Sequence, residues 1–189
     1  MLDEFRAAGA LLEGHFILTS GLHSPRYLQC ARVMMNAARA ERLCRALAGK
    51  LGQAVKSAID VVVSPALGGV IVGHEMGRQL GVPAIFVERV GGKFTLRRGF
   101  TVEKGARCLM VEDIVTTGVS SRECIDTVSR LGASVVAAAC LINRSGGKAD
   151  LGVPLVALAD IEVATFAADA LPAWLAAIPA EKPGSRGID

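Results

Sequence analysis

Several motifs that would name a chemistry outright are missing from this chain. No G-x-x-x-x-G-K-[ST] occurs: "GGKF" and "GGKA" lack both the first Gly and the terminal hydroxyl. No G-x-G-x-x-G follows an apolar run, and these two absences weigh against kinase, ATPase and dinucleotide-binding readings. A G-x-S-x-G elbow is also missing, which disfavours a serine hydrolase. The five cysteines (Cys30, Cys44, Cys108, Cys124, Cys140) are odd in number, scattered and without C-x-x-C spacing. That argues against a zinc site or a disulfide framework and fits a reducing cytoplasm. His15, His23 and His74 have no metal-ligand spacing to one another. Each reads as structural, with His23 in a turn-rich segment that could line a pocket. There is no uninterrupted apolar run of about 18 residues, so no membrane span is expected. The start, "MLDEFRAAGALLEG", carries early acids and no apolar core of signal-peptide length. A net charge of +3 is too small to argue for nucleic-acid binding.

What is present suits one globular domain: 189 residues, 51% hydrophobic and 21% charged. Short β-branched or apolar runs at Ile59–Val63, Ala84–Val87, Arg107–Val111, Ser134–Ile142 and Leu155–Ile161 predict strands. Helical segments separate them, one over about Val70–Leu80 closed by Gly81 and Pro83. Another carries Cys124, Ile125, Val128 and Leu131 at helical spacing, with Gly132 as a stop. Nearly continuous apolar strands alternating with helices predict an α/β fold, a central mostly parallel sheet covered on both faces. Two segments depart from the pattern. The N-terminal stretch holds a short helix, then "HFILTSGLHSPRYLQC", which reads as a strand or hairpin with Ser-Gly and Ser-Pro turns. Residues 88–105, "ERVGGKFTLRRGFTVEKG", form a polar, Gly-rich, basic connection of a length usually functional or mobile. The tail "AEKPGSRGID" reads as poorly ordered.

The densest chemistry lies in "CLMVEDIVTTGVSSR", Cys108–Arg122. Ligands of open parallel sheets bind at the carboxyl ends of strands, where Glu112 and Asp113 are expected. Adjacent carboxylates accept hydrogen bonds from a pair of vicinal hydroxyls. Thr116, Thr117, Gly118, Val119 and Ser120 then lead into a helix, whose free backbone N–H groups and flanking hydroxyls suit a phosphate. The alternative is an ordinary strand-to-helix turn with an acidic cap. "SPALGG", Ser64–Gly69, offers a second glycine loop at a second strand end, where backbone can approach a ligand closely. By itself it reads as a plain turn. The cations Arg89, Lys93, Arg97 and Arg98 read as a solvated hairpin in isolation. Beside two phosphate loops they become candidates for neutralising a leaving group.

"VEDIVTTGVS" resembles the phosphoribosyl-diphosphate signature of the type I phosphoribosyltransferases. With "FILTSGLHSPRY", "SPALGGV" and "LINRSGG", in the family's order from Phe16 to Gly147, the chain resembles the orotate-using branch of that family. The resemblance implies the type I phosphoribosyltransferase fold, with a core at about 41–165 and a small hood at about 1–40 joined by the C-terminal segment. It implies transfer of a phosphoribosyl group from 5-phosphoribosyl 1-diphosphate to orotate, in pyrimidine biosynthesis. Glu112 and Asp113 would hold the ribose hydroxyls, and the stretch through Ile114, Val115 and Thr116 to Ser120 would cradle the 5-phosphate. Ala66, Leu67, Gly68 and Gly69 would face the diphosphate, whose Mg2+ is held mainly by the substrate and water, with no protein metal site. Arg144, Thr116 and Tyr27 would meet orotate. Residues 88 to about 100 would be a closing loop reaching the partner's site in a cytoplasmic homodimer, with Lys93, Arg89 and Asp113 as the catalytic candidates. No nucleic acid or membrane partner is implied.

The chain departs from that pattern in places. Thr19 stands where a Lys commonly precedes the Ser-Gly turn, and Leu67 and Gly68 stand where a bulky residue and Lys are common. The basic loop has no His, and Glu112 replaces the commoner Asp while keeping the carboxylate. Two other readings stay open: a transferase for a purine base, and a transcriptional regulator that binds phosphoribosyl diphosphate. The second needs a DNA-binding module, and the N-terminal stretch is too short and turn-rich for a helix-turn-helix.

Overall fold

The computed structural model describes residues 2–18 and 20–183; the expectations for Thr19 and for the tail beyond Pro183 lie outside the described residues. The chain begins with α1 (Leu2–Ala7), β1 (Leu11–Ile17), β2 (His23–Leu28), α2 (Cys30–Met34), α3 (Ala37–Lys50) and α4 (Gln53–Lys56). Then come β3 (Val61–Pro65), α5 (Gly68–Leu80), β4 (Ala84–Val90), β5 (Lys93–Leu96) and β6 (Arg107–Val115). It closes with α6 (Val119–Arg130), β7 (Ser134–Asn143), β8 (Leu155–Asp160), a 3-10 turn at Ala168–Ala170, α7 (Ala173–Ala176) and β9 (Ala180–Glu181). The elements form two compact units, residues 34–161 and residues 1–33 with 162–189.

The larger unit is a six-stranded sheet in the order β5-β4-β3-β6-β7-β8. Its pairs are parallel except β4–β5, an antiparallel hairpin at the edge. The inner strands are buried along nearly their whole length, as strands covered on both faces must be. On one face Cys124, Ile125 and Val128 of α6 join Val61, Val63, Cys108 and Met110 in one apolar cluster. The alternate residues of β3 face α5, where the helix comes so close that a Cβ on Gly73 would lie 1.9 Å from Ser64 Oγ. Asn36 caps α3 by accepting the Arg39 N–H at 3.0 Å. Gly81 ends α5 in the left-handed conformation at φ 71°, its N–H on the Gly77 carbonyl.

Several expected boundaries shift. β3 starts at Val61 rather than Ile59, because Asp60 turns its carboxylate to Arg107, accepting the backbone N–H at 2.8 Å and Nη2 at 2.9 Å. β6 runs on to Val115, held by β7 through Ile114↔Ile142 and Val115↔Asn143. Glu112 and Asp113 therefore sit inside the last turns of a strand, not beyond it. Leu131 is half exposed after the end of α6, and Ala133 takes the buried place instead. The basic segment is not one long loop. Gly91 and Gly92, both at positive φ, make a two-residue turn, and Phe94 buries itself to anchor β5. Consecutive positive-φ residues suit the tight hairpin turn that matches strand twist.

The smaller unit is a three-stranded sheet, β2-β1-β9, with β1–β2 antiparallel and β1–β9 parallel. The Ser20–Gly21 stretch makes the β1–β2 turn, with Gly21 at φ 82° and its N–H on the Leu18 carbonyl. Ser24–Pro25 lies within β2 rather than in a turn; Pro is tolerated there because β2 is an edge strand. His23 is buried rather than pocket-lining: its Nδ1 lies 2.6 Å from Nε2 of His15, whose Nδ1 donates to the Ile178 carbonyl at 2.8 Å. Ala180 and Glu181 of the tail belong to β9.

Candidate active site

Two glycine-containing loops converge at the carboxyl edge of β3 and β6. Residues 66–69 lead from β3 into α5, and Thr116–Gly118 lead from β6 into α6. The Ala66–Leu67 peptide bond is cis. Gly68 opens α5 with its bare Cα against the Asp113 carboxylate, and Gly69 packs against the Val111 carbonyl and Ser64. A side chain at either glycine would crowd the neighbouring strand. The diphosphate-loop candidate Gly68 and the acid Asp113 thus occupy one place in the fold.

The acids differ in their partners. Asp113 Oδ1 accepts the Ile114 N–H at 2.9 Å, while burial pushes its carboxyl above the usual range. Glu112 Oε2 accepts the hydroxyl of Ser121. Burial first, then the Asp113 charge, push the Glu112 carboxyl up to about 7, with the Ser121 hydrogen bond opposing them. Glu112 and Asp113 are consecutive, half-buried residues of β6, one facing Ser121 and the other Gly68, and among the described residues neither forms an ion pair, which is a costly state for a carboxylate. Hydroxyl donors or a ligand-borne cation would relieve that cost.

Gly118 starts α6 at φ 75°, and a Cβ there would lie 2.6 Å from Leu151 Cδ2, so the position requires glycine on two counts. Arg122 N–H bonds the Gly118 carbonyl at 2.9 Å. The N–H groups preceding it in the first turn have no intrahelical acceptor and are available to an anion. A concavity of about 50 Å³ is lined by Thr116–Ser121 with Glu112 and Ile114. Arg122 braces the loop from behind, donating to the Asp150 carbonyl at 2.7 Å and the Thr117 carbonyl at 3.3 Å. Ser121 and Arg122 are not among the residues singled out from the sequence. A helix-borne serine and arginine carry no signal until the fold turns them toward the loop.

Arg144 follows β7, and its N–H bonds the Val115 carbonyl at 2.8 Å, next to Thr116 at the same sheet edge. Asn143 beside it donates to Asp160 at 2.8 Å and accepts the Ser145 N–H at 3.0 Å, which pins the start of that loop. The basic hairpin divides its cations. Arg89 donates to Glu123 and to the Gly92 carbonyl, and lies 4.2 Å over the Phe94 ring. Arg98 makes a two-armed pair with Glu88 at 2.7 and 2.9 Å. Lys93 and Arg97 are exposed, and their side chains make no ion pair or hydrogen bond among the described residues. Tyr27 belongs to the smaller unit, half-buried on β2 with its ring 5.9 Å from Phe16.

Residues 35–165 match the phosphoribosyl transferase domain family, and the chain belongs to that family. A relative from Parvibaculum lavamentivorans, an orotate phosphoribosyltransferase, is 62% identical over 188 residues, covering 100% of this chain and 97% of that protein. The solved orotate phosphoribosyltransferase of Aeropyrum pernix is 27% identical with a TM-score of 0.75, covering 85% of this chain and 94% of that one. An adenine phosphoribosyltransferase from Thermoanaerobacter pseudethanolicus reaches a TM-score of 0.66 at 18% identity, over 85% of this chain and 100% of that one; this likeness speaks for the fold alone.

Proposed function

We propose that this chain is an orotate phosphoribosyltransferase, a pentosyltransferase that converts orotate and 5-phosphoribosyl 1-diphosphate to orotidine 5'-phosphate and diphosphate in pyrimidine biosynthesis. The observation that carries the reading is 62% identity across the whole chain to a protein of that activity. It is supported by an acid pair set against one glycine loop and beside another.

In the reaction, the orotate ring nitrogen forms a bond to the anomeric carbon as the bond to diphosphate breaks. Positive charge develops on the sugar ring and negative charge on the leaving group. The chain's own work is positioning and electrostatics. Glu112 and Asp113 accept the ribose hydroxyls, and their negative charge lies near the cationic sugar. The N–H groups and hydroxyls of Thr116–Ser120 hold the 5-phosphate. The backbone of Ala66–Gly69 faces the diphosphate. Arg144 offers a planar fork to the orotate carboxylate, with Thr116 close by; Tyr27 is assigned to the base by resemblance alone. Lys93 and Arg89 offset charge on the departing diphosphate, and hairpin closure keeps water from the activated sugar.

The donor set fits Mg2+ carried by the substrate. The described residues contain no group of three or more His, Cys, Asp or Glu that could hold an ion. Mg2+ commonly keeps its waters and binds through one or two carboxylates plus substrate phosphates. Such an ion would lower the charge of the diphosphate, near Asp113 and Gly68. A homodimer with shared sites and a cytoplasmic location complete the proposal; no helix among the described residues is long and apolar enough to cross a membrane.

A product assay with orotate, adenine, guanine and xanthine tests the reading. Orotidine 5'-phosphate formation with orotate alone is expected, and a preference for any purine would overturn it.

A further inference from the structure

We propose that Ser121 is a positioning residue for Glu112, holding that carboxylate in the one orientation that presents its second oxygen to a ribose hydroxyl. The inference rests on the reading of Glu112 as a ribose ligand, and it adds a residue from the helix to a site so far built from the strand and loop.

Ser121 lies in the first turn of α6 with no solvent exposure. A buried serine on a helix ordinarily turns its hydroxyl back to the carbonyl four residues earlier. Here it donates to Glu112 Oε2 instead. Both residues line the same small concavity. Oε1 of Glu112 makes no hydrogen bond among the described residues and is left to accept from a ligand. A glutamate reaches the site through one more torsion than an aspartate would, and thus has more rotamers to lose. A fixed donor on the facing helix removes that freedom and favours the charged form. The first turn of the phosphate helix thereby serves both ends of the donor: its N–H groups face the phosphate and its Ser121 hydroxyl aims the ribose ligand.

The groups around Glu112 are few. Asp113 on its own strand raises its carboxyl, and Cys140 pairs with it across β7. Cys124 faces it from α6. Burial holds both thiols far above the usual range, Cys140 up to about 12. Among the described residues, Asp113 is thus the neighbouring carboxyl whose charge bears on Glu112.

The test uses the full chain. Ser121→Ala is expected to move the Glu112 titration up by about one pH unit, read from the side-chain carboxyl carbon by NMR without ligand. The KM for 5-phosphoribosyl 1-diphosphate is expected to rise about tenfold at pH 6.5 and less than about threefold at pH 9, where either protein is ionised. Ser121→Thr, which keeps a hydroxyl, is expected to restore the wild-type titration. In a Glu112→Asp background, whose carboxylate is too short to reach the helix, Ser121→Ala is expected to change little. An unchanged Glu112 titration in Ser121→Ala, or the same loss at every pH and in the Glu112→Asp background, overturns the proposal. Failure of the wild-type chain to bind 5-phosphoribosyl 1-diphosphate overturns the functional reading instead, and the titration still decides whether Ser121 holds Glu112.

Discussion

Gly68 and Asp113 touch: a Cβ on the glycine would lie 3.0 Å from Oδ1 and 3.1 Å from Oδ2 of the aspartate. Residues 45 positions apart in sequence thus share one edge of the sheet, and the small residue at 68 is what admits the carboxylate. Gly68 is not among the positive-φ glycines, so alanine is compatible with its backbone. Gly68→Ala is expected to fold, with a thermal midpoint within about 3 °C of wild type. The displaced carboxylate is expected to lower kcat/KM for the phosphoribosyl donor by at least about tenfold. Melting curves and steady-state kinetics on the same preparation separate the two effects.

Glu112 makes the stability of the free protein depend on pH in an unusual direction. Its folded carboxyl is raised from 4.5 to about 7 by burial. Between those values the folded state holds more protons than the unfolded state, so stability falls as pH rises through the window. The full effect is roughly 3 kcal/mol from pH below 4.5 to pH above 7. Asp113, raised by burial as well, acts in the same sense. Asp60 lies the other way, lowered to about 2 chiefly by its Arg107 hydrogen bond, but titrates below this window. Urea unfolding from pH 5 to pH 8 is expected to show wild type losing stability relative to Glu112→Gln. An equal pH dependence in both proteins would show that Glu112 does not titrate there.

How much of this was legible follows from which forces set each feature. The parallel strands could be read because strands buried on both faces need apolar residues throughout, as in β3 and β7. Gly118 could be read because no other residue suits its φ and its contact with Leu151. Strand ends were less legible. The end of β6 is set by pairing with β7, whose partner residues lie far along the chain. β5 hid in a basic segment, although Gly91–Gly92 followed by an exposed–buried–exposed alternation from Lys93 is a hairpin pattern. Ser121 was illegible because a helical serine has no distinguishing neighbour in sequence; only the approach of α6 to β6 gives it Glu112.

Arg144 stands apart from the donor residues because its proposed partner is the base. Its backbone is tied to Val115, which places the residue beside Thr116. Arg144→Ala is expected to raise the KM for orotate at least tenfold while changing that for 5-phosphoribosyl 1-diphosphate little, the loss of one charge-assisted pair being worth about 1.5–3 kcal/mol. Arg144→Lys keeps the charge without the planar fork and is expected to recover only part of the affinity. Equal effects on both substrates would assign Arg144 to the site as a whole rather than to the base.

Lys93 and Arg89 differ in what they must give up to reach a substrate. Arg89 is held by Glu123, the Gly92 carbonyl and the Phe94 ring, so Arg89→Ala is expected to lower stability by about 1 kcal/mol as well as activity. Lys93 is exposed at the start of β5, and its side chain has no hydrogen-bond or ion-pair partner to release among the described residues. Lys93→Ala is expected to keep its thermal midpoint and lose about 100-fold in kcat, near the value of one transition-state contact. Whether Lys93 serves its own site or a partner's is decided by mixing Lys93→Ala with Arg144→Ala protein. If Lys93 crosses between subunits, a mixed dimer unites an intact Arg144 with the other chain's intact Lys93 and has one working site. An equal mixture then regains roughly a quarter of wild-type activity, since about half of random dimers are mixed. If Lys93 acts within its own subunit, every site in the mixture lacks one residue and activity stays at the level of the single variants.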